Sequence, residues 1–227
     1  MGKIHTRVKP IIAASVQAAG AFADTHVLFD WTKIDAARCS SIDGLQVIVG
    51  GTNGADQTMV AIDLFFATSH TNIGNSAPGS MGDLRGAVDL HQWKNNLVAY
   101  VPITAGDFND ADLITLNIAT KSGLDIPVGG DLYVAAIAKG ALDFQGTVQC
   151  NGVQAITQAG LVVKTTSALI NFAPGDVLHD ESDRLIGTVQ SVTDATNMVM
   201  TANLANATVA DKDLYNLSPV QLVLNCS

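Results

Sequence analysis

Glutamate is almost missing from this chain. Of its 227 residues 21 are acidic, and only one of these, Glu181, is glutamate; the rest are aspartate. Glutamate favours helices, whereas aspartate favours turns and helix ends. Charge of either sign is scarce, at 15% of residues against about 25% in an average soluble domain. With 20 glycines and many Thr and Val residues, the composition predicts a β-rich chain with tight turns.

Further absences exclude classes of function. The sequence has no run of about 18 apolar residues, so we expect no transmembrane helix and no membrane partner. The excess of 21 acidic over 12 basic residues gives a net charge of −9, which would repel phosphates, so no nucleic-acid partner is expected. A hydrophobic content of 48% excludes a disordered chain.

Catalytic motifs are also missing. The sequence contains no GxSxG, no HExxH, no P-loop and no GxGxxG between a strand and a helix. Asp107, Asn109, Asp110 and Asp112 resemble a calcium loop but lack its central glycine and distal glutamate, which favours a capped turn. The five histidines lack the spacing of metal ligands. We therefore predict a protein that is not an enzyme, with no catalytic residue, cofactor or metal.

The three cysteines give no disulfide pattern. Cys39, Cys150 and Cys226 are odd in number and widely spaced, and none forms a CxxC pair. A disulfide framework uses more cysteines in a shorter chain. The sequence therefore predicts small buried thiols in a reducing compartment.

The N-terminus is basic although the chain is acidic. Lys3, His5, Arg7 and Lys9 all precede the first acidic residue, Asp24. Such an end is a candidate docking arm for an acidic surface, and a solvated, partly disordered terminus is the alternative. As a docking arm, residues 1–9 should be removable with loss of attachment and without loss of the fold.

Strand-like runs separated by turn residues recur along the chain. The first is predicted at Ile11–Val16, and eight or so follow one another within about 140 residues, a spacing typical of a β-sandwich or jelly roll. The last should pair elsewhere in the protein or with a neighbour. We predict an all-β fold with a basic arm at 1–10, a jelly-roll-like β-sandwich at 11–145, a connecting β segment at 146–160, a small β-barrel-like domain at 161–217 and a C-terminal strand at 218–227.

Sparse charge also predicts association. Monomeric proteins seldom expose large weakly polar areas, and the cores of permanent interfaces are depleted of charge. We therefore expect a homo-oligomer, such as a trimer, or a subunit of a lattice.

Three segments resemble virion proteins of tailed bacteriophages. They are the run VAIDLFF at 60–66, the turn DLRGAV at 83–88 and the strand DLYVAAIAKGA at 131–141, within a similarity that covers roughly residues 10 to 145. The segments GDVL at 175–178 and LIGTV at 185–189 resemble small β domains of phage head and tail proteins.

The resemblance implies a capsid decoration, or cement, protein that sits on the outer surface of the phage head. It implies the major capsid protein and further copies of this chain as partners, and a location on the virion after assembly in the host cytoplasm. The alternatives are a tail, fibre or head–tail connector subunit, or a carbohydrate- or receptor-binding module. The last of these would expose Trp or Tyr beside Asp and Asn in a concavity.

Overall fold

A computed structural model describes residues 4–35, 39–50, 58–69, 79–88, 92–109, 116–144, 148–164 and 172–227. These residues contain one short α-helix, α1 (Ala14–Ala18), and 3-10 turns at Gln92–Asn95 and Ala105–Asp107. The strands in chain order are β1 (Ile4–Val8), β2 (Asp24–Ile34), β3 (Ser41–Gly50), β4 (Ile62–Ala67), β5 (Leu97–Ile103), β6 (Phe108–Asn109), β7 (Leu116–Pro127), β8 (Leu132–Lys139), β9 (Val148–Gln149), β10 (Gly160–Val162), β11 (Val177–Asp180), β12 (Leu185–Val192), β13 (Asn197–Met200), β14 (Asp213–Asn216) and β15 (Val220–Cys226). The prediction of an all-β fold is confirmed.

The long strands pair in a nested order. β1 pairs with β15, β2 with β8, β3 with β7, and β4 with β5, all antiparallel. The first strand pairs with the last, and the pairing continues inward to a central hairpin. This is the connectivity of a jelly roll. Further contacts, of β15 with β3 and of β8 with β4, join these strand pairs into two sheets, β1-β15-β3-β7-β6 and β2-β8-β4-β5.

Period-two alternation builds the core between the two sheets. Along β15 every second side chain is buried, so that Leu222 and Leu224 point inward while Gln221 points outward. Leu222 lies in register with Val47 on one side and Val8 on the other. All three side chains are buried in one hydrophobic cluster.

Both ends of the chain belong to the sandwich. Residues 4–8, predicted to be an arm, and residues 220–226, predicted to be a separate C-terminal strand, form adjacent strands of the same sheet. The final strand thus pairs within the protein, between β1 and β3. The sandwich is therefore assembled from residues 4–144 and the C-terminal strand, with the second unit inserted between β8 and β15.

The inserted unit is a small antiparallel barrel. Its strand order is β10-β13-β12-β11-β14-β9, and the two outermost strands meet where Cys150 bridges Val163. The Lys164 amide donates to the Gln149 carbonyl at 2.9 Å and thereby extends this contact. The unit has its own buried core and begins at β9, earlier than the predicted start at 161. Residues 148–149, predicted to connect two domains, are one of its strands because they pair with β14.

Helix α1 connects the sandwich to the barrel. It occupies part of the segment predicted as a strand at Ile11–Val16, and that prediction is wrong. The segment is rich in alanine, the strongest helix former. The buried Gln17 side chain donates from Nε2 to the carbonyl oxygens of Ile12 at 2.7 Å and Asn216 at 2.8 Å, so the helix is tied to the end of barrel strand β14.

Arg85 anchors the segment that follows α1. Its guanidinium lies 5.0 Å from the centre of the Phe22 ring. The planar fork of an arginine can serve several acceptors at once. Here it donates to four backbone carbonyl oxygens, those of Val16, Ala19, Gly20 and Ala21.

Two of the three cysteines are bonded to each other. Cys39 and Cys226 form a disulfide with a Cα–Cα distance of 5.3 Å, so the prediction of free thiols is wrong for this pair. The two residues are 187 positions apart, and they meet because β15 returns beside the start of β3. Cys150 is free and buried, and burial raises the pKa of its thiol to about 11.

Candidate docking surface

The predicted docking residues lie along a sheet edge. Strand β1 pairs over its whole length with β15, and within the described residues no strand pairs with its other side. Exposed and covered side chains alternate from residue 5 to residue 10, which places His5, Arg7 and Lys9 outward and Val8 inward. Lys3 lies outside the described residues. Since β1 is an integral strand, removing residues 1–9 would damage the sheet, contrary to the expectation for a detachable arm.

Hydrogen bonds fix two of the basic side chains on this face. Nδ1 of His5 donates to Oδ1 of Asn225 at 2.7 Å, and Nη1 of Arg7 donates to Oε1 of Gln221 at 3.0 Å. Both acceptors are neutral amides of the neighbouring strand β15, so they orient the basic groups without neutralising charge. The strand is tied to the other sheet by Oγ1 of Thr6, which donates to the Asp35 carbonyl at 3.0 Å.

Most of the other cations are already paired. Of the twelve Lys and Arg residues, ten lie in the described part of the chain; Arg85 among them binds backbone carbonyls, and six form salt bridges: Lys33, Lys121, Lys139, Lys164, Arg184 and Lys212. Three form no salt bridge with a described residue: Arg7, Lys9 and Lys94. Two of these three are adjacent on the β1 face, which makes this edge a local positive site on an acidic chain.

We define the basic edge as His5, Arg7 and Lys9. Lys9 follows β1, near the barrel, and its charge acts to lower the pKa of Asp176, although burial of that carboxyl has the larger effect and raises the pKa overall. The edge leaves one side of β1 without a partner strand among the described residues. An exposed edge can accept a further strand, and charged side chains on it also oppose unspecific pairing.

An aromatic cluster covers the outer face of the second sheet. The rings of Phe65 and Trp93 have centroids 5.0 Å apart, those of Phe65 and Tyr100 5.3 Å, and those of Trp31 and Trp93 6.4 Å. Tyr100 is 51% exposed, and its hydroxyl donates to Oδ1 of Asp63 at 2.9 Å. Burial, followed by this hydrogen bond, raises the pKa of Tyr100. An exposed tyrosine beside an aspartate is one feature expected of the carbohydrate-binding alternative.

The acidic turn considered as a calcium loop is held by protein groups. The Asp107 carboxylate accepts hydrogen bonds from the amide and hydroxyl of Thr104, both at 2.7 Å, and forms a salt bridge with Lys121 at 2.6 Å. Lys121, followed by Thr104, lowers the pKa of Asp107 to about 2. Asp110 and Asp112 lie outside the described residues. Within the described ranges, no three His, Cys, Asp or Glu residues are grouped to hold a metal ion.

The described helices are all too short or too polar to cross a membrane.

The described residues form a jelly roll with an inserted barrel and a basic edge strand. Comparison with known proteins finds no matching family model, no matching curated protein and no matching solved structure.

Proposed function

We propose that this chain is a structural virion protein, a capsid decoration protein that binds the outside of a tailed-phage head and bridges neighbouring capsomers. The observation that carries the proposal is a basic edge strand on a jelly roll of net charge −9. Jelly rolls are common in viral capsid and lectin domains. Together with the sequence resemblance to phage virion proteins, this supports a structural role in the particle.

Charge separation suits such a position. The acidic body would be repelled by packaged nucleic acid and so favours the outer side of a shell. The basic edge offers Arg7 and Lys9, which form no salt bridge with a described residue, to an acidic patch on the major capsid protein. A specific interface needs about 1,600 Å² in total, and repetition over a lattice adds avidity.

The disulfide also favours this proposal. Disulfides persist in oxidising surroundings and are rare in cytosolic proteins. A protein that assembles in the host cytoplasm and then works on a released particle would carry Cys39 and Cys226 as thiols first and as a disulfide later. This sequence of states replaces the purely reducing setting that the cysteine pattern predicts.

Charge reversal on the basic edge tests the proposal. The double variant Arg7→Glu/Lys9→Glu should bind purified phage heads lacking this protein with reduced occupancy and a weaker dependence on salt, because the attractive charges are gone. Both side chains are exposed, so the fold should be retained. Lys94→Glu is the control, since Lys94 is the third cation that forms no salt bridge with a described residue. Unchanged occupancy of the double variant would contradict docking through this edge.

The second candidate is a carbohydrate- or receptor-binding module, favoured by the exposed Tyr100 beside Asp63. Stacking of a sugar on an aromatic ring next to a carboxylate acceptor would use both groups. A glycan array with the native protein and with Tyr100→Ala decides between the two. Binding that is lost in Tyr100→Ala would support this second function, and copy number per particle would separate a shell protein from a tail or connector subunit.

A further inference from the structure

One end of the barrel carries an extended surface without charge. We define the uncharged band as residues 151–160 and 201–210, two segments that contain no Asp, Glu, Lys or Arg. Eight of the ten residues in the first segment and seven of the ten in the second are exposed. Large apolar side chains project from both: Val153 is 73% exposed, Ile156 55% and Val209 43%. Contiguous apolar exposure favours an interaction surface.

The two segments run side by side. Two backbone amides of the second segment donate to carbonyls of the first, Leu204 to Gln158 at 2.9 Å and Thr208 to Gln154 at 3.2 Å. Met200, directly before the second segment, donates to the Ala159 carbonyl at 2.7 Å. The two segments are therefore neighbours on the barrel, and Val209 and Val153 follow and precede the bonded pair Thr208 and Gln154.

Buried polar side chains make this surface rigid. The side-chain amide of Gln154 forms hydrogen bonds with both backbone groups of Val162. Its Nε2 donates to the carbonyl at 2.6 Å, and its Oε1 accepts from the backbone amide at 2.7 Å. The Thr208 hydroxyl accepts a hydrogen bond from the backbone amide of Gln154 at 2.9 Å and donates one to the Gly152 carbonyl at 3.1 Å. Gln154 and Thr208 are both buried. A surface ordered before binding loses little entropy when a partner covers it.

We infer that the uncharged band is the contact surface between two copies of this chain, packed band against band. Each copy carries a net charge of −9, so identical copies repel when aspartate-bearing surfaces face each other. A band without ionised groups removes that repulsion at the point of contact. A partner of opposite charge would instead be selected by a charged surface, such as the basic edge.

The anatomy of the band fits an interface centre. Interface cores are depleted of charge and surrounded by polar rims. Here the salt bridge between Lys164 and Asp211 lies just beyond the band in sequence at both segments. A standard interface uses about 20–30 residues on each side. The fifteen exposed residues of the band (eight and seven) supply its centre, and exposed neighbours such as Leu185 supply the rest.

This inference rests on the proposed structural role, because it assigns the self-contact that bridging on a shell would use, yet it is tested on free protein without a shell. Sedimentation equilibrium at micromolar concentration should show self-association of the native chain. Val153→Asp/Ile156→Asp should raise the Kd of self-association about a hundredfold or more, because like charges then face each other. Both side chains are exposed, so folding should be retained, as circular dichroism can check.

Ile11→Asp is the control, since it places an aspartate on a 66% exposed apolar residue outside the band, and it should leave self-association unchanged. Val153→Lys/Ile156→Lys should also dissociate alone but assemble when mixed with the aspartate variant, because opposite charges then meet across the contact. A native chain that stays monomeric, or an aspartate variant that associates normally, would overturn the inference.

Binding to purified heads separates this inference from the proposed function. A monomeric native chain that still decorates heads would overturn the band as a self-contact and keep the decoration role. An associating chain that binds no head would do the reverse. Loss of head binding in the aspartate variant of a monomeric chain would assign the band to the capsid protein and overturn the inference.

Discussion

The sandwich and the barrel are both antiparallel, but they are closed by different parts of the chain. In the sandwich, Ile4 lies in register with Cys226, so the sheet requires both ends of the polypeptide. In the barrel, every strand pair joins residues within 148–216. Because loop closure costs more entropy for distant partners, we expect the barrel to form before the last strand enters the sandwich. The insertion can therefore be stable locally while the unit that carries it depends on the whole chain.

The two units also use their surfaces differently. The sandwich presents cations at a strand edge, whereas the barrel presents an ordered surface without charge. A charged edge sets partner choice and association rate, and an apolar surface supplies buried area. The proposed binding of a different partner and the proposed binding of a second copy would thereby use separate surfaces of one small acidic protein.

The largest expected effect is a selective loss of the sandwich. Leu222→Ala removes a fully buried side chain of the strand between β1 and β3 and should lower the free energy of unfolding by about 2–5 kcal/mol. Hydrogen exchange should show lost protection in the sandwich and retained protection in the barrel.

Two variants calibrate this result. Gln221→Ala changes the adjacent, outward-facing residue of the same strand and should have little effect. Leu214→Ala removes a fully buried side chain of the barrel and should reverse the pattern of exchange. Equal loss of protection in both units after either core substitution would show that they unfold together, against the expected independence of the barrel.

The disulfide gives the next effect, again confined to the sandwich. Cys226→Ser should lower the free energy of unfolding by about 2–4 kcal/mol, because the link between Cys39 and Cys226 restricts the unfolded chain. A reducing agent should have the same effect on the native protein and none on the variant. Thiol titration should find Cys150 only after denaturation, since it is buried with a pKa raised to about 11, and all three cysteines only after reduction as well. A reagent that finds three thiols without reduction would refute the bond.

Substitution of Arg85 tests how the segment that follows α1 is anchored. Arg85→Lys keeps the positive charge but loses the fork that serves four carbonyl oxygens, so it should cost about 1–3 kcal/mol. Arg7→Lys is the control, since it makes the same change on an exposed side chain. Chemical denaturation measures both, and equal stability of the two variants would mean that charge alone is sufficient at position 85.

The smallest effect is a pH dependence of opposite sign at two aspartates, one in each unit. Lys121 and Thr104 lower the pKa of Asp107 in the sandwich from 3.8 to about 2, so its contribution is present above pH 3.8 and is lost as the pH falls toward 2. Burial raises the pKa of Asp213 in the barrel, so its contribution is present at low pH and is lost as the pH rises through that raised pKa.

Paired substitutions measure this difference. Asp107→Asn should destabilise the protein at neutral pH and have less effect at acid pH. Asp213→Asn should stabilise it at neutral pH, because it removes a partly buried charge, and have less effect at acid pH. Unfolding free energies of both variants across this pH range provide the measurement, and effects of the same sign would contradict the assignment.

Local patterns predicted the elements better than their partners. The alternation in β4, and the turn residues between the strands, predicted the all-β class and the sandwich. The basic residues at 3, 5, 7 and 9 also alternate with period two, a strand signal that the docking-arm hypothesis overlooked. The strand predicted at Ile11–Val16 failed because alanine-rich helix propensity and the buried hydrogen bonds of Gln17 outweighed the apolar run.

The uncharged band likewise could not be predicted from local sequence patterns. Its two segments are each visibly uncharged in the sequence, but they are about fifty residues apart, and only hydrogen bonds across the barrel place them together. The pairing of Cys39 with Cys226 was hidden for the same reason.

Composition and period-two patterning, which are properties of neighbouring residues, determined by themselves that this chain forms strands and few helices. Only the tertiary structure decided that β1 and β15 are adjacent, that two distant cysteines are bonded, and where the cations and the uncharged band are exposed. These features depend on contacts between residues far apart in the chain. Such contacts arise from packing the whole core at once, and no local window of sequence contains that information.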